Sequence, residues 1–292
     1  MRARLVSALL RLFAALPLRW GQRIAILPGW LLAHLPNGLR RITETNLELC
    51  FPELSPAERR TLACRSLVET CKTAFEAGPM WLWPAPRILD MVVEVRNAEQ
   101  VESAVQAGKG VILATPHLGC WEMAGHYCAA RWNITTLYRP PRIKALDELI
   151  RQGRARCGAH LVRTDAKGVR ELFQTLSSGG VIGILPDQDP GESGGVFAPF
   201  FGIAANSMVL LGRLARKTSA EVFFVHCERL PQAAGYRLHF AAAEEQLFDA
   251  DPQVAAAAMN RSVEASVRAC PEQYQWSYRR FRTRPPGQER IY

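Results

Sequence analysis

Short apolar runs alternating with helical segments predict an α/β fold, a mostly parallel central sheet flanked by helices. Three observations carry this. Runs such as GVILATP (110–116), VIGILP (181–186) and EVFFVHCE (221–228) have the length and β-branched content of buried strands. Segments such as IKALDELIRQGRARCG (143–158) and AKGVRELFQTLSSGG (166–180) between them have helical apolar spacing and end in glycine. The 292 residues, 48% apolar and 22% charged, suffice for one large core and do not resemble a multi-span membrane protein.

The elements follow in order. Leu5 to Leu16, LVSALLRLFAAL, is apolar apart from Ser7 and Arg11 and stops at Pro17. It is shorter than the ~20 residues of a spanning helix. Before Glu44 the chain carries seven arginines (Arg2, Arg4, Arg11, Arg19, Arg23, Arg40 and Arg41) and no lysine or carboxylate. With Trp20 and Trp30, this mixture predicts an N-terminal apolar helical membrane-anchoring segment over residues 1–42 that lies at an anionic surface. A signal peptide is the competing reading, but PLRWGQR follows where a small-x-small cleavage site belongs.

Residues 43–292 form the main domain. Ser55 and Pro56 supply a cap and a first-turn proline for a solid helix, and NAEQVESAVQAGKG (97–110) is a second helix. ITTLYR (134–139), HLVR (160–163) and YRLHFAA (236–242) complete the predicted strands. The net charge of +9 favours polyanionic partners: nucleic acid, anionic membrane or a phosphorylated substrate. Eight scattered cysteines without metal-ligand spacing read as small apolar residues of a reducing compartment.

His117 follows the strand GVILAT, and Glu122 lies five residues on, at the start of the next helix. Folded back on itself, this interval lets the carboxylate hold one imidazole nitrogen and leaves the other to take a proton from a nucleophile. A satisfied core histidine beside a helix-start carboxylate is the plain alternative. Cys120 is a candidate nucleophile only in an electropositive, partly exposed site. The spacing is not that of a zinc site.

Arg139 closes ITTLYR and reads as a donor to an oxyanion or as a solvated surface arginine. Asp187 and Asp189 in PDQDPGESGG read as a turn or a hard-cation site, and Gly194 and Gly195 as backbone able to present amides to an anion. Phe197, Phe200 and Phe201 in VFAPFFG read as core or as the wall of an apolar groove. WSYRRFRTRPPG interleaves arginines with aromatics, as a nucleic-acid platform or an anionic-lipid surface does.

PHLGCWE resembles the H-x4-D/E motif of the glycerolipid and lysophospholipid acyltransferase superfamily, in the local form of the bacterial lipid A biosynthesis acyltransferases. RRITETNLELCFPELS, LYRPPR, LPDQDPGESGGVFAPFFG and RRFRTRPPG are similar to blocks of that family in the same order. The resemblance implies a glycerolipid acyltransferase-like domain over 43–292. It further implies acyl transfer from an acyl carrier protein to a hydroxyl of a lipid A precursor, on the cytoplasmic face of a Gram-negative inner membrane. It makes His117 the base and Glu122 its partner, Arg139 an oxyanion or phosphate ligand, and Asp187, Asp189, Gly194, Gly195 and Phe200 substrate contacts. Neither a metal nor another cofactor, nor nucleic acid, is then required. A lysophospholipid, ornithine lipid or other glycolipid acceptor, an acyl-CoA donor, and an inactive lipid-binding homologue are the alternatives.

Overall fold

The computed structural model describes residues 2–141, 143–191 and 194–292. Met1, Arg142 of the LYRPPR block, and Glu192 and Ser193 of the PDQDPGESGG loop lie outside the described residues.

Four helices open the chain: α1 (Arg2–Ala15), α2 (Leu18–Ile24), α3 (Ile26–His34) and α4 (Gly38–Cys50). They pack on α5 (Pro56–Leu82), whose 27 residues form the spine of the molecule. Its start is sharp because the Ser55 hydroxyl accepts the Glu58 N–H at 3.3 Å while Glu58 accepts the Ser55 N–H at 2.8 Å.

This arrangement corrects the expected N-terminal membrane-anchoring segment. Pro17 and the turns near Ala25 and Leu35 break the apolar stretch into short helices, and no helix among the described residues is long and apolar enough to cross a membrane. Glycines bring these helices against α5. A Cβ on Gly29 would lie 2.4 Å from Val68 Cα, and one on Gly78 would lie 2.5 Å from the Leu10 carbonyl. The Gln22 amide also donates to buried Glu76 at 2.8 Å. Such contacts are those of an integral part of a fold.

Next come α6 (Ala85–Leu89), β1 (Val92–Arg96), α7 (Ala98–Gln106), β2 (Val111–Ala114), α8 (Trp121–Trp132), β3 (Thr135–Tyr138), α9 (Asp147–Ala155), β4 (His160–Arg163), α10 (Ala166–Ser177) and β5 (Val181–Ile184). The hairpin β6 (Gly195–Phe200) and β7 (Ile203–Met208), then α11 (Leu210–Thr218), β8 (Glu221–Arg229), β9 (Tyr236–Ala242) and α12 (Pro252–Ala269) complete the chain. The main sheet has the order β1-β9-β8-β2-β5-β3-β4. From β8 to β4 it is parallel; β9 runs antiparallel to β8, and β1 follows β9. The expected mostly parallel sheet with flanking helices is what forms.

β2 and β5 are buried along their whole length, which explains their unbroken apolar sequences. Their side chains alternate between two cores. Ile112, Ala114, Ile182 and Ile184 face α10, α11 and α12, whereas Val111, Leu113 and Val181 face α7 and α8. Three strands went unforeseen. β1 is a half-buried edge, and β6–β7 is a separate hairpin turning at Phe201 and Gly202, both at positive φ.

Candidate active site

β2 and β5 are neighbours in register, Ala114 opposite Ile184. Each continues through one residue and a proline, Thr115-Pro116 and Leu185-Pro186, and then presents an ionisable side chain. Having no N–H, proline ends the ladder at equal height on both strands. His117 and Asp187 therefore meet above the carboxyl ends of the two central strands, where open parallel sheets hold their ligands.

His117 Nδ1 lies 2.8 Å from Asp187 Oδ1, and the His117 backbone N–H donates to Oδ2 at 3.0 Å. The carboxylate is 2% exposed and the imidazole 15%. Burial pushes the Asp187 carboxyl up, but the charge and hydrogen bonds of His117 outweigh it and hold the group below its usual range. An ionised acceptor at Nδ1 puts the proton there and leaves the lone pair on Nε2.

Glu122 does not fill that role. It lies in the first turn of α8, where Arg154 of α9 grips it: Nε is 3.1 Å from each carboxylate oxygen, and Nη2 donates to Oε1 as well. Burial raises the Glu122 carboxyl, and the Arg154 charge and hydrogen bonds bring it below its ordinary value. The loop between His117 and Glu122 leans toward β8, away from the fold-back the spacing suggested. Gly119 donates to the Gln273 carbonyl at 3.0 Å and Cys120 to the Cys227 carbonyl at 2.8 Å. Gly119 has φ of +61°, and a Cβ there would lie 1.9 Å from the Cys227 oxygen, so the close approach requires glycine. The buried Arg229 fixes the loop from beneath, paired with Glu76 at 2.7 Å and donating to the Gly119 carbonyl at 2.9 Å.

Two chambers, of about 820 and 440 Å³, open beside this loop and share His117, Trp121, Glu122, Arg154 and Gln188. The smaller is walled by Ala74, Ala77, Met80 and Trp81 of α5. The larger runs past Arg139, Leu161, Gly194 and Arg282.

The remaining expected residues separate. Arg139 and Gly194 line the larger chamber, and Gly195 opens β6 against Pro190 and Asn206. Asp189 reaches that chamber's wall, but its carboxylate is 0% exposed and already accepts from Gly191, Asn206 and Thr283. It staples the loop to the C-terminal segment. Phe200 is 1% exposed and packs on Phe201, Tyr274 and Phe281 in the core, away from either chamber. Cys120 is 3% exposed with its thiol raised well above its ordinary value by burial, which suits packing better than nucleophilic attack.

Sequence reasoning missed Arg154, Gln188 and the pairing of Asp187 with His117. The local signal for Arg154 is slight: α9 carries Arg151 and Arg154, Arg156 follows just past its end, and only Gly153, seated against Trp81, tells which one turns inward.

The arrangement offers an imidazole oriented by a buried carboxylate, a guanidinium held by a second carboxylate, and two adjoining spaces that share these residues in their walls. The family profile described as "Bacterial lipid A biosynthesis acyltransferase" matches residues 2–283. The chain is 32% identical over 248 residues to the lipid A biosynthesis lauroyltransferase of Escherichia coli (strain K12), covering 85% of this chain and 80% of that protein. It is 30% identical over 255 residues to the palmitoleoyltransferase of the same organism, covering 86% and 81%, and 28% identical over 271 residues to its myristoyltransferase, covering 90% and 81%. With a profile spanning nearly its whole length and relatives of this identity and coverage, the chain belongs to the bacterial lipid A biosynthesis acyltransferase family.

Proposed function

We propose that this acyltransferase moves a fatty acyl chain from an acyl carrier protein thioester to a hydroxyl of a lipid A precursor, by direct attack with His117 as general base. Acyl transfer onto a lipid A precursor follows from the family. The donor, the residue roles and work at the cytoplasmic surface of the inner membrane are parts of the proposal. The observation that carries it is the meeting of the two chambers at a histidine whose Nδ1 is held by a buried carboxylate.

In the reaction, His117 Nε2 takes the proton of the acceptor hydroxyl as its oxygen attacks the thioester carbonyl carbon. The C–O bond forms, and the carbonyl electrons move to oxygen. Asp187 stabilises the imidazolium. The oxyanion needs a donor where its charge develops. Arg154 suits this role, because Glu122 holds its Nε and Nη2 and thereby fixes its remaining N–H groups beside both chambers. Arg139 is a second guanidinium in the larger chamber. Collapse breaks the C–S bond, and the departing carrier thiolate recovers the proton from His117. The smaller chamber, where Ala74, Ala77, Met80 and Trp81 of α5 offer apolar side chains beside Thr70, Thr73 and Glu76, suits the acyl chain, since each buried methylene gains ~0.8 kcal/mol. The larger one, with its arginines, suits the anionic acceptor.

The test incubates purified protein with acyl carrier proteins bearing chains of different length and a Kdo-bearing lipid A precursor, and weighs the lipid. A gain of one acyl group in wild type, absent in a folded His117→Ala variant, is the expected result. Acylation only of a lysophospholipid or another glycolipid refutes the acceptor and keeps the mechanism; no acylation of any lipid refutes both.

A further inference from the structure

We infer that Gln188 donates a hydrogen bond to the thioester oxygen as charge develops there, and that Gln275 aims it. This role deepens the reading of the two chambers as donor and acceptor sites, and rests on it. With the acyl thioester in one chamber and the hydroxyl in the other, the reacting atoms meet where a wall belongs to both. Among the described residues that shared wall is His117, Trp121, Glu122, Arg154 and Gln188. His117 is the base, and Glu122 offers only acceptor oxygens, which Arg154 occupies. Trp121 leans toward the imidazole, with ring centroids 5.2 Å apart and planes at 60°. Gln188 is the amide at this junction, with two N–H donors on one nitrogen.

Hydrogen bonds tie Gln188 to the base along two routes. It follows Asp187 directly, and that carboxylate accepts the His117 backbone N–H at 3.0 Å and faces Nδ1 at 2.8 Å. The Gln188 side chain donates from Nε2 to Gln275 Oε1 at 3.1 Å, and the Gln275 backbone N–H donates to the His117 carbonyl at 3.1 Å. Gln275 thus holds the base and the amide at once. Its own segment is anchored on both sides: Ser66 donates to the Tyr274 carbonyl at 3.4 Å and Asn46 to the Trp276 carbonyl at 2.7 Å. Gln275 takes one N–H of the half-buried Gln188 amide. The second has no partner among the described residues and is left for a ligand.

As the acceptor oxygen attacks, the carbonyl electrons move to the thioester oxygen and stay there until the C–S bond breaks. A donor fixed beforehand and aimed at that oxygen stabilises the transition state more than the bound thioester, so it raises kcat. Neutrality is an advantage here. His117 has to become an imidazolium in the same step, and a further uncompensated cation beside it would oppose that. Arg154 brings its charge already paired with Glu122, and Gln188 adds a second donor without adding charge.

The test compares acyl transfer by wild type, Gln188→Leu, the isosteric Gln188→Glu, Gln275→Leu and Trp121→Phe, with thermal unfolding of each. Gln188→Leu and Gln188→Glu are expected to lower kcat about 100-fold or more, the cost of one lost oxyanion donor, with donor KM within a few fold of wild type. Gln275→Leu is expected to lower kcat less, because the amide remains but swings. Trp121→Phe, which keeps an aromatic ring and loses the indole N–H, is expected to stay within a few fold. A raised KM at unchanged kcat, a kcat near wild type in Gln188→Leu, or a 100-fold loss confined to Trp121→Phe overturns the assignment. Binding of two unreactive donor analogues, each built on acyl carrier protein and on coenzyme A, separates chemistry from packing. One carries a thioether without a carbonyl, the other a tetrahedral, anionic phosphonate. Wild type is expected to prefer the phosphonate, and Gln188→Leu to lose that preference while binding the thioether as before. If wild type acylates no lipid, the functional reading fails separately and these analogues alone decide. Equal binding of both by wild type, a preference unchanged in Gln188→Leu, or no binding of either overturns the role of Gln188.

Discussion

Asp187→Asn separates the two carboxylates near His117. The substitution keeps shape and volume but removes the charge that faces the imidazole at 2.8 Å. Carboxylate and imidazolium charge centres in such a pair are about 4 Å apart. At an effective dielectric of ~20, appropriate even to buried sites, their attraction is ~4 kcal/mol. That attraction exists only once His117 has taken the proton, so it acts on the transition state, and its loss is expected to lower kcat about a thousandfold. The assay is acyl transfer at saturating donor and acceptor, with thermal unfolding to show that the variant folds. Glu122→Gln is the comparison. It leaves Arg154 without its partner at a part-buried site, so unfolding temperature and activity are expected to fall together, by about 1–3 kcal/mol, between the worth of an exposed pair and that of a fully buried one. If Asp187→Asn stays within tenfold of wild type while Glu122→Gln loses a thousandfold with unchanged stability, Glu122 is the residue that serves His117, and the reasoning here is refuted.

Other consequences are as direct. Cys120→Ala is expected to retain activity within a few fold, and a hundredfold loss, or an acyl group found on Cys120 by peptide mass, contradicts direct transfer. Gly119→Ala places a Cβ 1.9 Å from the Cys227 carbonyl at a positive φ, and should cost at least ~2 kcal/mol by chemical denaturation; a stability equal to wild type disproves the close approach. His226 is pulled down to about 4 by burial and by stacked His239, partly offset by Glu228. Its unfolded form binds a proton near pH 6.5 and its folded form near 4, so the stability present above pH 6.5 is lost as pH falls through that window. The loss approaches ~3 kcal/mol by pH 4. His226→Phe should flatten this part of the stability profile, and urea midpoints at pH 7.5 and 5 that shift equally in both proteins refute the assignment.

The parts legible in the sequence are those set by local pattern. β2 and β5 are unbroken apolar runs because both faces are covered, β8 carries the buried run VFFV, and α5 starts where Ser55 and Glu58 cap it. His117 stood out because it follows a buried strand directly. Its true partner did not, because that pairing depends on Ala114 lying opposite Ile184, a register between segments 70 residues apart. The hairpin was hidden by Pro199 in β6 and by the weakly alternating IAANSM of β7. The N-terminal segment misled for a related reason. Apolar spacing with arginines describes the surface of a helix, and the glycine contacts of Gly29 and Gly78 that seat these helices on α5 are long-range facts.

Direct transfer at a base between two chambers is most simply tested by initial rates with carrier-bound donor and lipid acceptor varied together. Intersecting double-reciprocal lines are expected, because both substrates must be bound before His117 can act. Parallel lines would signal release of the carrier before the acceptor binds, which requires a covalent acyl-enzyme and contradicts the mechanism.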